Sequence, residues 1–339
     1  MKKVGNKWMK FLCMVLILSG CGGKQPKSTE ATGADQVLKN GQEVITEYAE
    51  QGSLESKADT EDQEYGGEVS YPVTIASTNG EELILESEPL RIVSLGPNIT
   101  ELIYSFGVEE KLVGRTEYCD YPLEVLALDT VGTLFTPDIE KILSLEPDLV
   151  IASTLFQEES RKQLTELGVS VLVLQEESRF DGVYQMIRTL GTAFNREKKA
   201  LEIVDDMQRR MDAVRETIKD RTPVSVYYVV GFGDSGDYTA GRDTFIDEIL
   251  TMAGGQNVAE DVQGWSYSVE RLLEADPDVV ILSEADYDGF VETMPYSELS
   301  AVKNGRVYTI DVNMLDRQGT RNVEAVEEIA RMLYPDLFS

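Results

Sequence analysis

Histidine is missing from all 339 residues, and that gap removes Ser-His-Asp and Cys-His nucleophilic sites together with every imidazole-ligated metal or haem centre. A direct zinc or manganese receptor is disfavoured for the same reason. Of the three cysteines, Cys13 falls in an N-terminal leader and Cys21 directly follows it, ahead of the folded region. Cys119 is then the lone thiol of the folded region, so neither an intramolecular disulfide nor a four-cysteine zinc site can form. It reads most simply as a small semi-buried residue. No G-x-x-x-x-G-K-[ST] occurs, so the chain is not itself a P-loop ATPase. Neither a catalytic centre, a metal site nor a resident cofactor is expected. What remains is a chemistry of carboxylates, arginines and aromatic rings. The 61 Asp and Glu against 31 Lys and Arg leave a formal charge of −30, which excludes nucleic acids and anionic membrane surfaces as generic partners, both being polyanions. A hydrolase using paired carboxylates such as Asp234 and Asp237 stays open as an alternative, as does an adhesive or structural surface protein. Acids are too common here for one such pairing to weigh much.

Two glutamates stand out by position. Residues 138–153 read DIEKILSLEPDLVIAS and residues 268–283 read SVERLLEADPDVVILS; without a gap, Glu140 aligns with Glu270, Pro147 with Pro277, Asp148 with Asp278 and Ser153 with Ser283. The repeat implies two α/β lobes of similar plan, each with a short helix running through a Pro-Asp turn into a buried strand whose far end opens on a crevice. Thr136-Pro137-Asp138 and Ser268 resemble helix starts, with a capping hydroxyl and, in the first, proline at the opening helical position. A glutamate in a first turn is favoured by the helix dipole by roughly 0.3–1 kcal/mol. Its recurrence in both lobes argues for more than that, since two acidic knobs at equivalent places suit docking onto a two-fold partner.

The elements that must position these residues follow from local pattern. Residues 1–20 form a leader, in which Lys2, Lys3, Lys7 and Lys10 precede an apolar run over 11–18 that is too short for the ~20 residues spanning a bilayer. Leu18-Ser19-Gly20-Cys21 resembles the lipobox of bacterial lipoproteins, in which the cysteine is acylated. Residues 21–68 are acidic and poor in aromatics, a composition that cannot offset chain entropy by burial, and are expected to be a disordered tether. From Tyr71 onward short apolar runs alternate with helical periods, the grammar of α/β layers. A hairpin is expected from 73–75 and 83–85 around Asn79-Gly80. Core strands are expected at 91–95, 149–152 and 171–174 in a first lobe (69–180), and at 224–230, 279–282 and 307–310 in a second (222–339). Between them, 181–221 lacks proline and repeats apolar residues in steps of three, four and seven. That pattern reads as one connecting helix of about 50 Å or two nearly collinear ones, with Gly191 and Asn195 as possible breaks. The fold class is therefore α/β: two lobes, each a mainly parallel sheet flanked by helices, joined by a long rigid helix that leaves them little freedom to close.

RIVSLGPNITELIYSFGVEEKLVG, TEYCDYP, PDIEKILSLEPDLVIAS, TAGRDTFIDEILTMAGGQNVAED and VEAVEEIARMLYPDLF, in that order over residues 91–338, resemble the iron-chelate and cobalamin class of ABC-importer substrate-binding proteins. The resemblance implies a lipoprotein on the extracytoplasmic face of the cell membrane, held there by its lipid anchor alone. It would capture a metal chelate (ferric siderophore, cobalamin or haem) between the lobes without catalysis, and deliver it to a dimeric permease driven by a cytoplasmic ATPase. It also carries Glu140 and Glu270 onto the family's two permease-docking glutamates, each meeting arginines of one permease subunit. Tyr118 falls where cobalamin binders of the family place a tyrosine against the ligand. Trp265 falls near their C-lobe tryptophan, one residue closer to the following Ser-x-Glu. Where such proteins can carry another tryptophan in the first lobe, this chain has Leu134 or Phe135. Aromatic side chains supply contact area to large planar or catecholate ligands at low entropy cost. The ligand-binding candidates are accordingly Asn98, Tyr118, Phe135, Arg242, Trp265 and Arg317. Arg115 and Arg321 are further cations that would be needed to offset the acidic field of the chain if the ligand is an anion.

Overall fold

The computed structural model describes residues 67–77, 80–154, 156–234 and 236–338; the leader, Cys21, nearly all of the tether and Asn79 lie outside the described residues. Strands β1 (Val73–Ala76) and β2 (Glu82–Leu85) pair antiparallel as the expected hairpin, Val73 opposite Leu85 and Ala76 opposite Glu82. The first sheet is parallel throughout in the order β4-β3-β5-β6, made of β3 (Ile92–Leu95), β4 (Leu112–Arg115), β5 (Leu149–Ala152) and β6 (Ser170–Val173). Every residue of β3 and β5 is buried, as central parallel strands covered on both faces require. From β3 the chain passes Gly96 into α1 (Pro97–Phe106), with proline in the first helical turn, where its missing N–H costs nothing; Gly107, at φ +67°, closes the helix by donating to the Ile103 and Tyr104 carbonyls.

The second sheet is also parallel, in the order β12-β11-β7-β9: β7 (Val224–Tyr228), β9 (Gly255–Asn257), β11 (Val279–Ser283) and β12 (Val307–Ile310). Strand β7 stops short of the expected residue 230 because the Val230 and Gly231 amides turn away to the Tyr238 carbonyl, at 2.9 and 3.2 Å. Tyr238 belongs to a short antiparallel pair, β8 (Asp237–Tyr238) with β10 (Ser266–Tyr267). Helices α2 (Ile139–Ser144) and α3 (Glu158–Glu166) complete the first lobe, and α6 (Phe245–Met252), α7 (Val269–Ala275), α8 (Tyr287–Glu292), α9 (Ser300–Lys303), α10 (Asn313–Asp316) and α11 (Asn322–Leu333) the second.

The repeated Pro-Asp turn has a structural duty. Asp148 accepts from the Leu90 and Arg91 amides at 2.8 and 3.0 Å, tying the turn ahead of β5 to the amino end of β3. Asp278 does the same ahead of β11, accepting from the Ser225 hydroxyl of β7 at 2.7 Å. Ser153 and Ser283, at the opposite ends of these strands, are both buried.

The expectation of one connecting helix, or two nearly collinear ones, over 181–221 requires correction. The segment is two helices, α4 (Phe180–Ala193) and α5 (Glu197–Ile218), and they run antiparallel. Phe180 at the start of α4 packs on Phe245 of the second lobe with ring centroids 5.0 Å apart, while Phe194 at its end packs edge-on against Phe106 of the first lobe at 5.5 Å. Helix α5 then returns, bringing Asp212 and Arg215 near the Tyr184 phenol of α4. The reversal falls at Asn195, whose left-handed φ of +56° is a conformation asparagine tolerates. Its side chain accepts from the Val69 amide at 2.8 Å and donates to Glu88 at 2.9 Å, so the turn is fastened from outside. Gly191 is a point of close approach and not a break: a Cβ there would lie 2.5 Å from the Ala200 Cβ. The longer of the two is α5, about 33 Å at 1.5 Å per residue. Around it Ile99 and Ile103 of α1, Met207 and Met211 of α5, Ile249 of α6 and Val326 of α11 belong to one apolar cluster. The lobes thus share a core through the connector, and each keeps a smaller cluster of its own.

Candidate functional site

The carboxyl ends of the two parallel sheets meet, and part of their junction is closed by a polar seam. In it, the segments after β3, β4 and β6 contact the segment after β12. Arg317 donates to Glu101 at 2.9 Å and to Asp120 at 2.8 Å. Arg321 reaches Glu101 at 3.4 Å, pairs with Asp311, and lays its guanidinium over the Tyr121 ring at 4.4 Å from the centroid. The Ser105 and Thr320 hydroxyls bond at 3.2 Å. Gln318 clasps the Glu177 backbone, accepting from its amide at 2.9 Å and donating to its carbonyl. At the start of α4 the Phe180 amide donates to Glu248 at 2.5 Å. Burial pushes the Glu101 carboxyl above its ordinary range, against the hydrogen bond from Arg317 and the charge of Arg321.

This seam changes the roles expected of the arginines. Arg317 and Arg321 are not cations waiting for a ligand, since both are spent in joining the lobes. Arg115 is buried and donates to the carbonyls of Val125, Thr116 and Cys119 at 2.9, 3.0 and 3.1 Å, which pins the loop that carries Tyr118. Arg242 alone of the four stays exposed, 3.4 Å from Asp243.

The other candidates fall in two groups, one per lobe. Tyr118 is half-buried on the loop after β4, and the Glu117 amide beside it donates to the Gly132 carbonyl at 3.0 Å, so the segment carrying Phe135 lies alongside. Of the pair 134 and 135, Leu134 turns into the core and Phe135 stays half-buried, in a turn held by Thr133, whose hydroxyl accepts from the Phe135 and Thr136 amides. Asn98, in the first turn of α1, is buried next to Gly96 and Ser153, and its Nδ2 has no hydrogen-bond partner among the described residues. Cys119 is fully buried, with its sulfur 3.2 Å from the Thr116 hydroxyl, and burial pushes the thiol up. In the second lobe, Trp265 is 39% exposed and its carbonyl accepts from the Thr239 amide at 2.9 Å. The Arg242 amide donates to Val262 at 2.7 Å, which sets both residues on neighbouring loops beyond β7.

Sequence reasoning passed over the acids of the junction. Glu176 follows β6, its amide donating to the Thr154 hydroxyl at 2.6 Å, and Asp316 ends α10 next to Arg317. Both side chains are reached by solvent, yet the protein crowding round them strips hydration. Glu176 is pushed up by that alone, and Asp316 is pushed up to about 7, with the charge of Glu176 adding to the shift. The readable signal was the complementary sign of PNITELIYSF, carrying one acid, and DRQGTRN, carrying two arginines. The suggested hydrolytic pair fares poorly, because Asp237 is engaged by the Tyr296 hydroxyl at 2.6 Å.

Glu140 and Glu270 are each the second residue of a short helix, α2 and α7, and both are exposed. The cap of α2 is the Asp138 carboxylate, accepting from the Lys141 amide at 3.0 Å; Pro137 precedes the cap, and the Thr136 hydroxyl bonds Thr133 instead. In α7 the expected Ser268 cap forms, accepting from the Arg271 amide at 3.3 Å.

Residues 92–314 match the family model described as periplasmic binding protein. The ABC transporter substrate-binding lipoprotein YvrC of Bacillus subtilis (strain 168) is 33% identical over 100% of this chain and 99% of its own length. Among solved structures, the periplasmic vitamin B12 binding protein BtuF of Vibrio cholerae superposes with a TM-score of 0.64 at 28% identity, covering 73% of this chain and 98% of that one. The periplasmic heme-binding protein RhuT from Roseiflexus sp. RS-1 gives a TM-score of 0.67 at 26% identity over 73% and 98%.

Proposed function

Because the chain belongs to the periplasmic binding protein family, we propose that it is the extracytoplasmic substrate-binding component of an ABC importer and captures a metal chelate between its lobes. Cobalamin, haem and ferric siderophores are the candidate ligands. What supports this reading is that the segments after the carboxyl ends of both parallel sheets meet, and that loops beyond those ends carry Tyr118 and Phe135 in the first lobe and Trp265 in the second. No catalytic step is assigned to it. Asn98 and Arg242 complete the proposed ligand contacts, while Arg317 acts through the seam.

Glu140 and Glu270 are proposed to dock on the two subunits of a permease whose transport is driven by a cytoplasmic ATPase. Their equivalent positions, exposed in the first turns of repeat-related helices, support that role. Cys21 is proposed as the acylated residue that holds the protein at the outer face of the cell membrane, on the strength of the Leu18-Ser19-Gly20-Cys21 run and the resemblance to a lipoprotein over its whole length.

The deciding experiment is native mass spectrometry of the purified chain without its leader against cyanocobalamin, haem and a panel of ferric siderophores, followed by titration of Trp265 fluorescence. A one-to-one complex with at least one chelate is expected. Failure to bind any of them under conditions where a known receptor does would sink the proposal.

A further inference from the structure

Resting on the receptor reading above, we propose that the ligand of this crevice carries no net negative charge. It is a neutral or cationic chelate whose rim is made of amides or other uncharged polar groups, and not one bearing free carboxylates or catecholates. The argument begins with where the cations are. Arg115 is spent on backbone carbonyls, Arg317 and Arg321 on Glu101, Asp120 and Asp311, and Arg179 on Glu248. Arg242 stands beside Asp243. Residues 116–122, 130–138, 153–157, 229–241, 263–267 and 283–288, which follow or adjoin the carboxyl ends of the strands, contain no lysine or arginine.

The same loops carry Glu117, Asp234 and Glu284, all exposed, and Glu176 and Asp316 stand at the junction of the lobes. An anionic chelate entering here meets side chains of its own sign, Glu117, Asp234 and Glu284 above all, and such repulsion carries over about 8 Å at physiological salt. It would also lose its hydration with only the Arg242 guanidinium, already beside Asp243, to replace it. A neutral ligand meets neither penalty. The aromatic faces of Tyr118, Phe135 and Trp265 offer contact area regardless of charge.

The test is isothermal titration of the whole chain without its leader against two uncharged chelates, cyanocobalamin and a neutral ferric trihydroxamate, and two anionic ones, haem and a ferric tricatecholate. The tightest ligand is expected to be uncharged. The variant Asp234→Lys/Glu284→Lys is expected to bind the anionic chelates about tenfold more tightly than the natural chain does, an advantage that fades as salt is raised. An anionic chelate binding tightest to the natural chain, or a double variant that gains nothing toward anions, would overturn the charge argument while leaving the receptor reading intact. If none of the four binds, the receptor reading falls and takes this inference with it.

Discussion

Replacing Arg317 with methionine keeps most of the aliphatic length and deletes the charge that joins the lobes. The Arg317 and Glu101 side chains are only 13% and 9% exposed, so the bond between them is a charge-assisted contact shielded from water, worth about 1.5–3 kcal/mol. Asp120 is 57% exposed, which holds the second bond to under about 1 kcal/mol. Together they predict a loss of about 3 kcal/mol, and at about 2–4 °C per kcal/mol for a fold of this size the melting temperature should fall by roughly 6–12 °C near neutral pH. Differential scanning calorimetry reads this directly. A second readout is the pH dependence. Burial already raises the Glu101 carboxyl, and the variant removes the hydrogen bond that partly restrains it. A carboxyl whose folded pKa is raised stabilises the fold below its unfolded pKa, and that contribution is lost as pH rises through the folded pKa. The deficit of Arg317→Met should therefore be smallest in mild acid and grow toward neutral pH. A fall of under about 2 °C near neutral pH, or a deficit that widens on acidification, would refute the account of the seam.

Trp265→Ala should weaken the cognate chelate roughly 30-fold, the cost of about 2 kcal/mol typical of an aromatic hot spot, and should abolish ligand-dependent fluorescence in the chain without its leader; equal affinity would remove Trp265 from the site. Gly191→Ala should cost about 1–3 kcal/mol in urea unfolding through overpacking against Ala200, and no loss would mean that α4 and α5 can part at that point. Glu140→Lys/Glu270→Lys should stop uptake while leaving chelate affinity within a few-fold, whereas a large fall in the affinity of the purified protein would place these glutamates in the crevice. Cys21→Ala should release the protein from membranes or leave it unprocessed, and membrane retention at the mature size would refute acylation.

The sheets were legible because central parallel strands are nearly continuous apolar runs, as 91–95, 149–152 and 279–282 show, and because α1 is framed by Gly96-Pro97 and Gly107. The repeat located α2 and α7, although the cap of α2 fell to Asp138 because Thr136 is drawn into its own turn with Thr133. The reversal between α4 and α5 was not readable from periodicity. Both helices present apolar residues in the same steps, and it takes tertiary contacts, among them the bonds from Asn195 to Val69 and Glu88, to fix that the chain doubles back. The seam was hidden for a related reason: Glu101, Arg317 and Arg321 look like solvated charges until residues over 200 positions apart are brought together. Short strands such as β8 and β10, two residues each, have no pattern to read at all.

The fastening of Val69 and Tyr71 to the α4–α5 turn has a mechanical meaning. The Val69 amide is held by Asn195, and the Tyr71 hydroxyl donates to the Ala193 carbonyl at 3.3 Å. Traction on the chain ahead of Val69 is therefore discharged into that turn and into the β1–β2 ladder. Ligand affinity is therefore expected to be the same whether the protein is held by its N-terminal side or free.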